Sequence, residues 1–242
     1  MEKQTKTYRE DGFLECERLR TFILLMAVGG FFGAYTYVMK GGVFCNAQTA
    51  NFVMLAVQAG HMNWSRALYY FIPISAYLLG TVLSEFLPKR INRLRIMRWD
   101  TFFVAFEMLC VLALGFVPDH LPPQICQVSI NFIASMQYNT FRQANNIPMA
   151  TTFCTNHLRQ VGISIVKCFT KHDRRSVTRL LMHIFMILAF VVGGTVSAVL
   201  CLHFGGKTIW FAEIPLFIVF VDLLHADLVN EKDKLDVVPH GH

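Results

Sequence analysis

Apolar and polar positions along this chain are patterned on the scale of membrane spans. Six apolar runs, roughly Thr21–Met39, Ala67–Leu87, Thr101–Val117, Gln124–Phe141, Leu180–Phe204 and Ile209–Leu228, approach the length a helix needs to cross a bilayer, about 20 residues. Between the first two lies Lys40–His61, KGGVFCNAQTANFVMLAVQAGH, which fits neither a span nor a simple loop. Two glycines open it, the polar cluster Asn46, Gln48, Thr49 and Asn51 follows, and a short apolar segment closes it. That segment is too short to cross, so the pattern predicts a loop and a half-helix that enters the membrane and turns back. Polar side chains at such depth are costly unless they find partners or line a wet cavity.

The pattern returns 106 positions later, where Thr49-Ala50-Asn51 falls on Thr155-Asn156-His157 within NIPMATTFCTNHLRQVGISIVK. A later segment also matches: ISAYLLGTVLSEFL from Ile74 resembles ILAFVVGGTVSAVL from Ile187, at an offset of 113 that the longer loop Lys167–Val177 can absorb. The chain therefore reads as two membrane repeats, 21–118 and 119–229, between an N-terminal segment 1–20 and a polar tail 230–242. The expected fold class is an all-α membrane protein with about six transmembrane helices plus two re-entrant or broken half-helices. Three spans per half would make this an inverted 3+3 internal repeat, an arrangement that recurs in secondary transporters. Gly29-x3-Gly33, Ala76-x3-Gly80-x3-Ser84 and Gly194-x3-Ala198 read as close-packing motifs, and Pro73 and Pro215 as kinks.

Composition agrees: 54% of the 242 residues are hydrophobic and only 16% charged, unlike an ordinary soluble domain. The net charge of +6 is not a nucleic-acid footprint, because its Lys and Arg sit in loops. Lys89, Arg90, Arg93, Arg95 and Arg98 in one loop, and Lys167, Lys171, Arg174, Arg175 and Arg179 in another, place both on the cytoplasmic side. Both termini then fall in the cytoplasm only if Phe44–Gly60 and Ile147–Val166 are re-entrant. The first twenty residues carry mixed charge and lead straight into an apolar run, unlike a cleavable signal. Seven scattered cysteines show no metal-ligand spacing, and His240 and His242 are too exposed and too close to the end to argue for a metal.

Three segments, GGFFGAYTYVMKGGVFCNAQTANFVMLA (Gly29–Ala56), MQYNTFR (Met136–Arg142) and ATTFCTNHLR (Ala150–Arg159), resemble the YoaK-type family of bacterial multispanning membrane proteins, a domain of unknown function. The resemblance implies residence in the bacterial cytoplasmic (inner) membrane. The family usually shows Thr-Gly-Asn where this chain has Thr49-Ala50-Asn51 and Thr155-Asn156-His157, and tends to an Asp where Gly33 stands here. If that Asp handles protons or cations, this member lacks the step.

The candidate substrate site is two facing clusters: Asn46, Gln48, Thr49 and Asn51, and Thr151, Thr152, Thr155, Asn156, His157 and Arg159. Asn139, with Gln137 and Arg142, would supply a wall, and Arg159 an anion contact or an interfacial anchor. Asn51 and His157 occupy equivalent positions, either as site residues or as helix caps. Glu107 and Glu213, also 106 apart, are candidates for proton coupling, since ionisable groups in spans are expensive. Asp222, Asp227, Glu85 and His183 read as interfacial. There is no G-x-S-x-G, no H-E-x-x-H, no phosphate-cradling glycine loop and no dinucleotide fingerprint. An intramembrane enzyme built on Ser197, His183 or His157 is the weakest alternative. The expectation is a non-enzymatic small-solute transporter for an anion or zwitterion, with no cofactor and no metal, its expected partners being the lipid bilayer, a small-molecule substrate and further copies of the chain in a homo-oligomer, with no nucleic acid. An oligomeric channel with re-entrant half-helices, or a non-transporting membrane scaffold, are the alternatives.

Overall fold

The computed structural model describes residues 13–93, 95–171 and 174–239. It is helical almost throughout, as the apolar runs predict. In chain order the elements are α1 (Leu19–Met39), α2 (Gln48–Gly60), α3 (Trp64–Phe86), α4 (Pro88–Arg93), α5 (Trp99–Leu114) and α6 (Gln124–Thr140). A two-residue hairpin, β1 (Gln143–Ala144) and β2 (Ile147–Pro148), precedes α7 (Thr155–Lys171) and α8 (Arg174–Phe204). A 3-10 stretch, Gly205–Ala212, leads into α9 (Glu213–His225). The stretches Leu19–Met39, Trp64–Arg93 and Arg174–Asn230 are long and apolar enough to cross a membrane. Apolar side chains also cover the outside, including Leu68, Leu78 and Val82 of α3, Leu188 and Leu202 of α8 and Phe217 of α9, all exposed. Such an exterior suits lipid and would be a liability in water.

Backbone chemistry explains where the helices stop. Gly41 and Gly42 end α1 at φ +82° and +72°, with the Gly42 N–H reaching back to the Tyr37 carbonyl at 3.1 Å, the closing bond of a Schellman turn. Gly205, at φ +55°, ends α8. The hairpin turns on Asn145 and Asn146, both at positive φ, which suits a two-residue turn. Pro215 sits in the first turn of α9 rather than kinking a span, whereas Pro73 lies inside α3 as expected. The two basic loops are also more ordered than expected: α4 fills much of the first, and α7 and α8 leave only residues 172 and 173 between them.

The closest helix pairs are α1 with α8, α3 with α6, α2 with α3, α7 with α8, and α5 with α9. Elements of the two sequence halves therefore interleave. Glycine sets the tightest crossing: a Cβ on Gly30 would run into the Phe190 carbonyl, and one on Gly193 into the Ala27 carbonyl. Gly80 lies against Ser135 and Phe132 of α6 in the same way.

Contacts define two ends of the bundle. At one, Lys40 pairs with Asp119 at 3.0 Å and the Tyr35 hydroxyl donates to the Gly206 carbonyl at 2.9 Å. At the other, Arg98 is buried at the start of α5, its Nε donating to Asp100 at 3.0 Å and its Nη1 lying 3.6 Å from Glu231. The Arg98 N–H donates to Asp227, as does the Thr101 hydroxyl, and the Glu15 N–H donates to Glu231 at 2.8 Å. Asp227, expected at an interface, is thus buried in an ion cluster. This cluster ties the residues before α1, the start of α5 and the chain after α9 to one end.

Gly30→Ala or Gly193→Ala should lower the melting temperature in detergent, a cost of about 1–3 kcal/mol from overpacking. Gly60→Ala, where an added Cβ meets nothing within 4 Å, should be neutral or mildly stabilising. Equal effects would rule out this crossing as the tight contact. Arg98→Met should destabilise by about 3–5 kcal/mol, since it strands buried carboxylates. Burial pushes the Glu231 carboxyl up, against the pull of the Glu15 N–H and Arg98. The folded chain then holds that proton more tightly than the unfolded one, and the resulting stability is lost as pH rises from about 4.3. Glu231→Gln should flatten that part of the stability–pH curve.

Candidate functional site

The two polar clusters meet at mid-height in the bundle, and Asn46 is the junction. Its Nδ2 donates to the Gly29 carbonyl at 2.9 Å and to the Thr152 carbonyl at 2.7 Å. Position 152 lies 106 residues after position 46. The glycines of α1 make room: a Cβ on Gly29 would lie 2.5 Å from the Thr151 carbonyl, and one on Gly33 would lie 3.2 Å from the Asn46 amide. The space beside position 33 is thus taken by an amide. From α6, Gln137 Nε2 donates to the Leu25 and Thr151 carbonyls at 3.2 and 3.3 Å. Around this junction Gln137 Oε1, Thr151 Oγ1 and Thr152 Oγ1 are buried with no hydrogen-bond partner. Unpaired buried polar atoms carry an unrecovered desolvation cost, so three beside one junction call for an explanation.

The rest of the first cluster is wired to α6. Gln48 Nε2 donates to Asn131 and to the Cys45 carbonyl, and the Asn51 amide donates to Gln48 Oε1 at 3.1 Å. Asn131 donates to the Gln127 carbonyl, Tyr69 donates to Gln127 Oε1 at 2.8 Å, and Gln127 Nε2 donates to the Lys40 carbonyl. Asn51 is therefore a network member rather than a helix cap. Thr49 is exposed and outside the network.

In the second cluster His157 is fully buried between the Ala150 carbonyl, 2.8 Å from Nε2, and His183 of α8, with 2.9 Å between the two Nδ1 atoms. A carbonyl only accepts, so in the neutral pair the His157 proton is on Nε2 and His183 donates from Nδ1. That leaves His183 Nε2 as a buried acceptor with no partner. His183, expected at an interface, is in fact completely buried, because α7 folds over that face of α8. Thr155 and Arg159 are exposed, and Arg159 donates to Asn156 Oδ1 at 3.2 Å instead of pointing to the junction.

Asn139 donates to Ser84 at 2.9 Å and to Glu85, which also pairs with Arg142. Asn139, Arg142 and Asn156 line a cavity of about 220 Å³ with Tyr138, Met149 and Ala150, next to the His157 acceptor. Glu107 is fully buried in α5 with neither carboxyl oxygen hydrogen-bonded, and it lies within electrostatic reach of Glu213 in α9, whose Oε1 is also unpaired. Among the described residues, no group of three His, Cys, Asp or Glu is arranged to hold a metal. The terminal His240 and His242 lie outside them.

Sequence reading missed Gln127, Asn131 and the role of His183. Gln127, Asn131, Ser135 and Asn139 are spaced by four, a polar stripe down one face of the helix, and that spacing was the available signal.

A family model described as a protein of unknown function (DUF1275) matches residues 21–221. No curated protein and no solved structure matches the chain.

The histidine pair yields a direct test. His157→Ala and His183→Ala should each cost about 1–3 kcal/mol, because each strands a buried polar partner. The double variant should cost less than the sum by about 0.5–3 kcal/mol in an unfolding cycle. Strict additivity would mean that the rings do not bond.

Proposed function

Since the chain belongs to the DUF1275 family of proteins of unknown function, we propose that it is an integral membrane transporter for a small anion or zwitterion. The substrate would bind where the 40–47 and 149–154 segments meet, against Gln137, Thr151 and Thr152. The observation that carries this reading is the trio of unpaired buried polar atoms beside the Asn46–Thr152 junction. A passing polar solute supplies the partners they lack. Irregular backbone at membrane depth is tolerated where protein covers it or where it lines a cavity, and transporters place their sites at such interruptions.

The packing supports an inverted repeat of six crossings and two re-entrant segments. Matching α1 with α6, α2 with α7, α3 with α8 and α5 with α9 turns each major helix pair into another observed pair. The α1–α8 contact becomes α6–α3, α2–α3 becomes α7–α8, α1–α9 becomes α6–α5, and α5–α9 maps onto itself. Glu107 and Glu213 lie within electrostatic reach of each other on the packed helices α5 and α9, and in this reading they would couple proton movement to the solute. Both basic links and both termini would face the cytoplasm of a bacterial inner membrane.

Thr151→Val and Thr152→Val separate function from packing. If the hydroxyls serve only structure, valine of the same shape is neutral or stabilising and nothing else changes. As solute contacts, the same variants should keep or raise the melting temperature while cutting saturable flux by about tenfold in proteoliposomes, the size of one lost hydrogen bond. Flux is measured by solid-supported membrane electrophysiology across a panel of small anions and amino acids. Full activity in both valine variants, or currents that never saturate with any solute, would defeat the transporter reading; non-saturating currents would indicate a pore.

A further inference from the structure

A cavity of about 540 Å³ lies apart from this site, at the end of the bundle that carries Arg98. Arg175, Thr178 and Arg179 from the first turns of α8 form one wall. Asn145 and Asn146 of the hairpin turn form another, and the apolar side chains of Phe13 and Met182 close it. Among the described residues the lining has no carboxylate. Among the described residues neither Arg175 nor Arg179 forms an ion pair, and Arg179 Nε is buried with no hydrogen-bond partner.

Charge and geometry together define what the cavity lacks. Arg175 and Arg179 are four residues apart on one helix face, where like charges repel. A guanidinium edge taken out of water without an acceptor is also costly. The two lysine or arginine side chains buried among the described residues are both paired: Arg98 has Asp100 and Glu231, and Lys40 has Asp119. Guanidinium forks match the oxygens of phosphate, and two forks on one face can hold one tetrahedral group from two sides. The Asn145 and Asn146 amides can donate to a third oxygen. The volume falls within the 300–1,000 Å³ typical of small-ligand sites, roughly speaking, and leaves room beyond the phosphate for an ester body against Phe13 and Met182.

We propose that this cavity binds a phosphate group, carried either by a small phosphate ester in solution or by the headgroup of an anionic lipid, with Arg175 and Arg179 as its guanidinium contacts. The site is independent of the transport reading, since it shares no residue with the Asn46–Thr152 junction, and binding is read without measuring flux.

The test uses the full chain in detergent, titrated with inorganic phosphate and with glycerol 3-phosphate against chloride of matched ionic strength, with thermal unfolding as readout. A parallel arm places it in phosphatidylcholine nanodiscs with and without phosphatidylglycerol. The expected result is saturable stabilisation of the wild type and affinity weakened by about tenfold or more in Arg175→Gln and Arg179→Gln, from loss of a charge-assisted contact. Arg93→Gln, an exposed arginine of α4 outside the cavity, should bind as wild type does. Stabilisation by soluble phosphates identifies a free ester as the source, and stabilisation by phosphatidylglycerol alone, with the same dependence on the two arginines, identifies a lipid headgroup. If Arg179→Gln does not fold, the exposed Arg175→Gln carries the comparison. The proposal is overturned if neither phosphate source stabilises the wild type saturably, or if the cavity variants bind as tightly as Arg93→Gln.

Discussion

Everything at the centre of this bundle depends on one amide. Two stretches of irregular backbone reach mid-height, and peptide groups there have no water to bond with unless the protein supplies an acceptor or a donor. Asn46, in the first stretch, ties it to the second and to α1, giving one amide hydrogen to the Thr152 carbonyl and the other to the Gly29 carbonyl. Loss of that bridge would remove the side-chain donor that the Thr152 carbonyl has here. The bridge in turn requires α1 to be close, which only residues without side chains permit. Gly29 and Gly33 are therefore part of the junction, while Gly30, one position away, serves the α8 crossing.

The same economy governs the polar interior. α6 carries Gln127, Asn131 and Gln137, which bond to α3, to the first cluster and to the second. His157 and His183 clamp α7 to α8 while holding the Ala150 carbonyl. Most of these groups are satisfied, and their function is to fix loops that have no helical ladder of their own. The hydroxyls of Thr151 and Thr152 and the Oε1 of Gln137 lack a partner where the two irregular segments meet. The ends of the bundle follow different physics: Arg98 and its carboxylates hold the residues before α1, the start of α5 and the chain after α9 together by charge.

How much of this was legible in the residues depends on the range of the signal. Helix identity was, since the apolar runs match α1, α3, α5, α6, α8 and the 3-10 stretch with α9, and the shortness of α2 follows from the polar cluster before it. Local signals misled where a partner lay far along the chain. His183 and Asp227 look interfacial from their neighbours in sequence, and both are buried because α7 and the Arg98 cluster cover them. Thr49, Thr155 and Arg159 belong to the polar stretches by position, yet the first turns of α2 and α7 direct them outward.

The sequence alone determined an all-helical chain with apolar helices compatible with a membrane and two polar segments 106 residues apart. These follow from hydrophobic runs, glycine pairs and spacing, all of which act within a few turns of chain. Tertiary structure decided which polar groups meet and which are left without partners: Asn46 with Thr152, His157 with His183, and Glu107 near Glu213. It also decided that Arg175 and Arg179 border a cavity with no carboxylate among its described lining residues. The reason is that a buried hydrogen bond or an uncompensated charge is a property of the whole packed neighbourhood, assembled from helices far apart in the chain, and no local pattern encodes it.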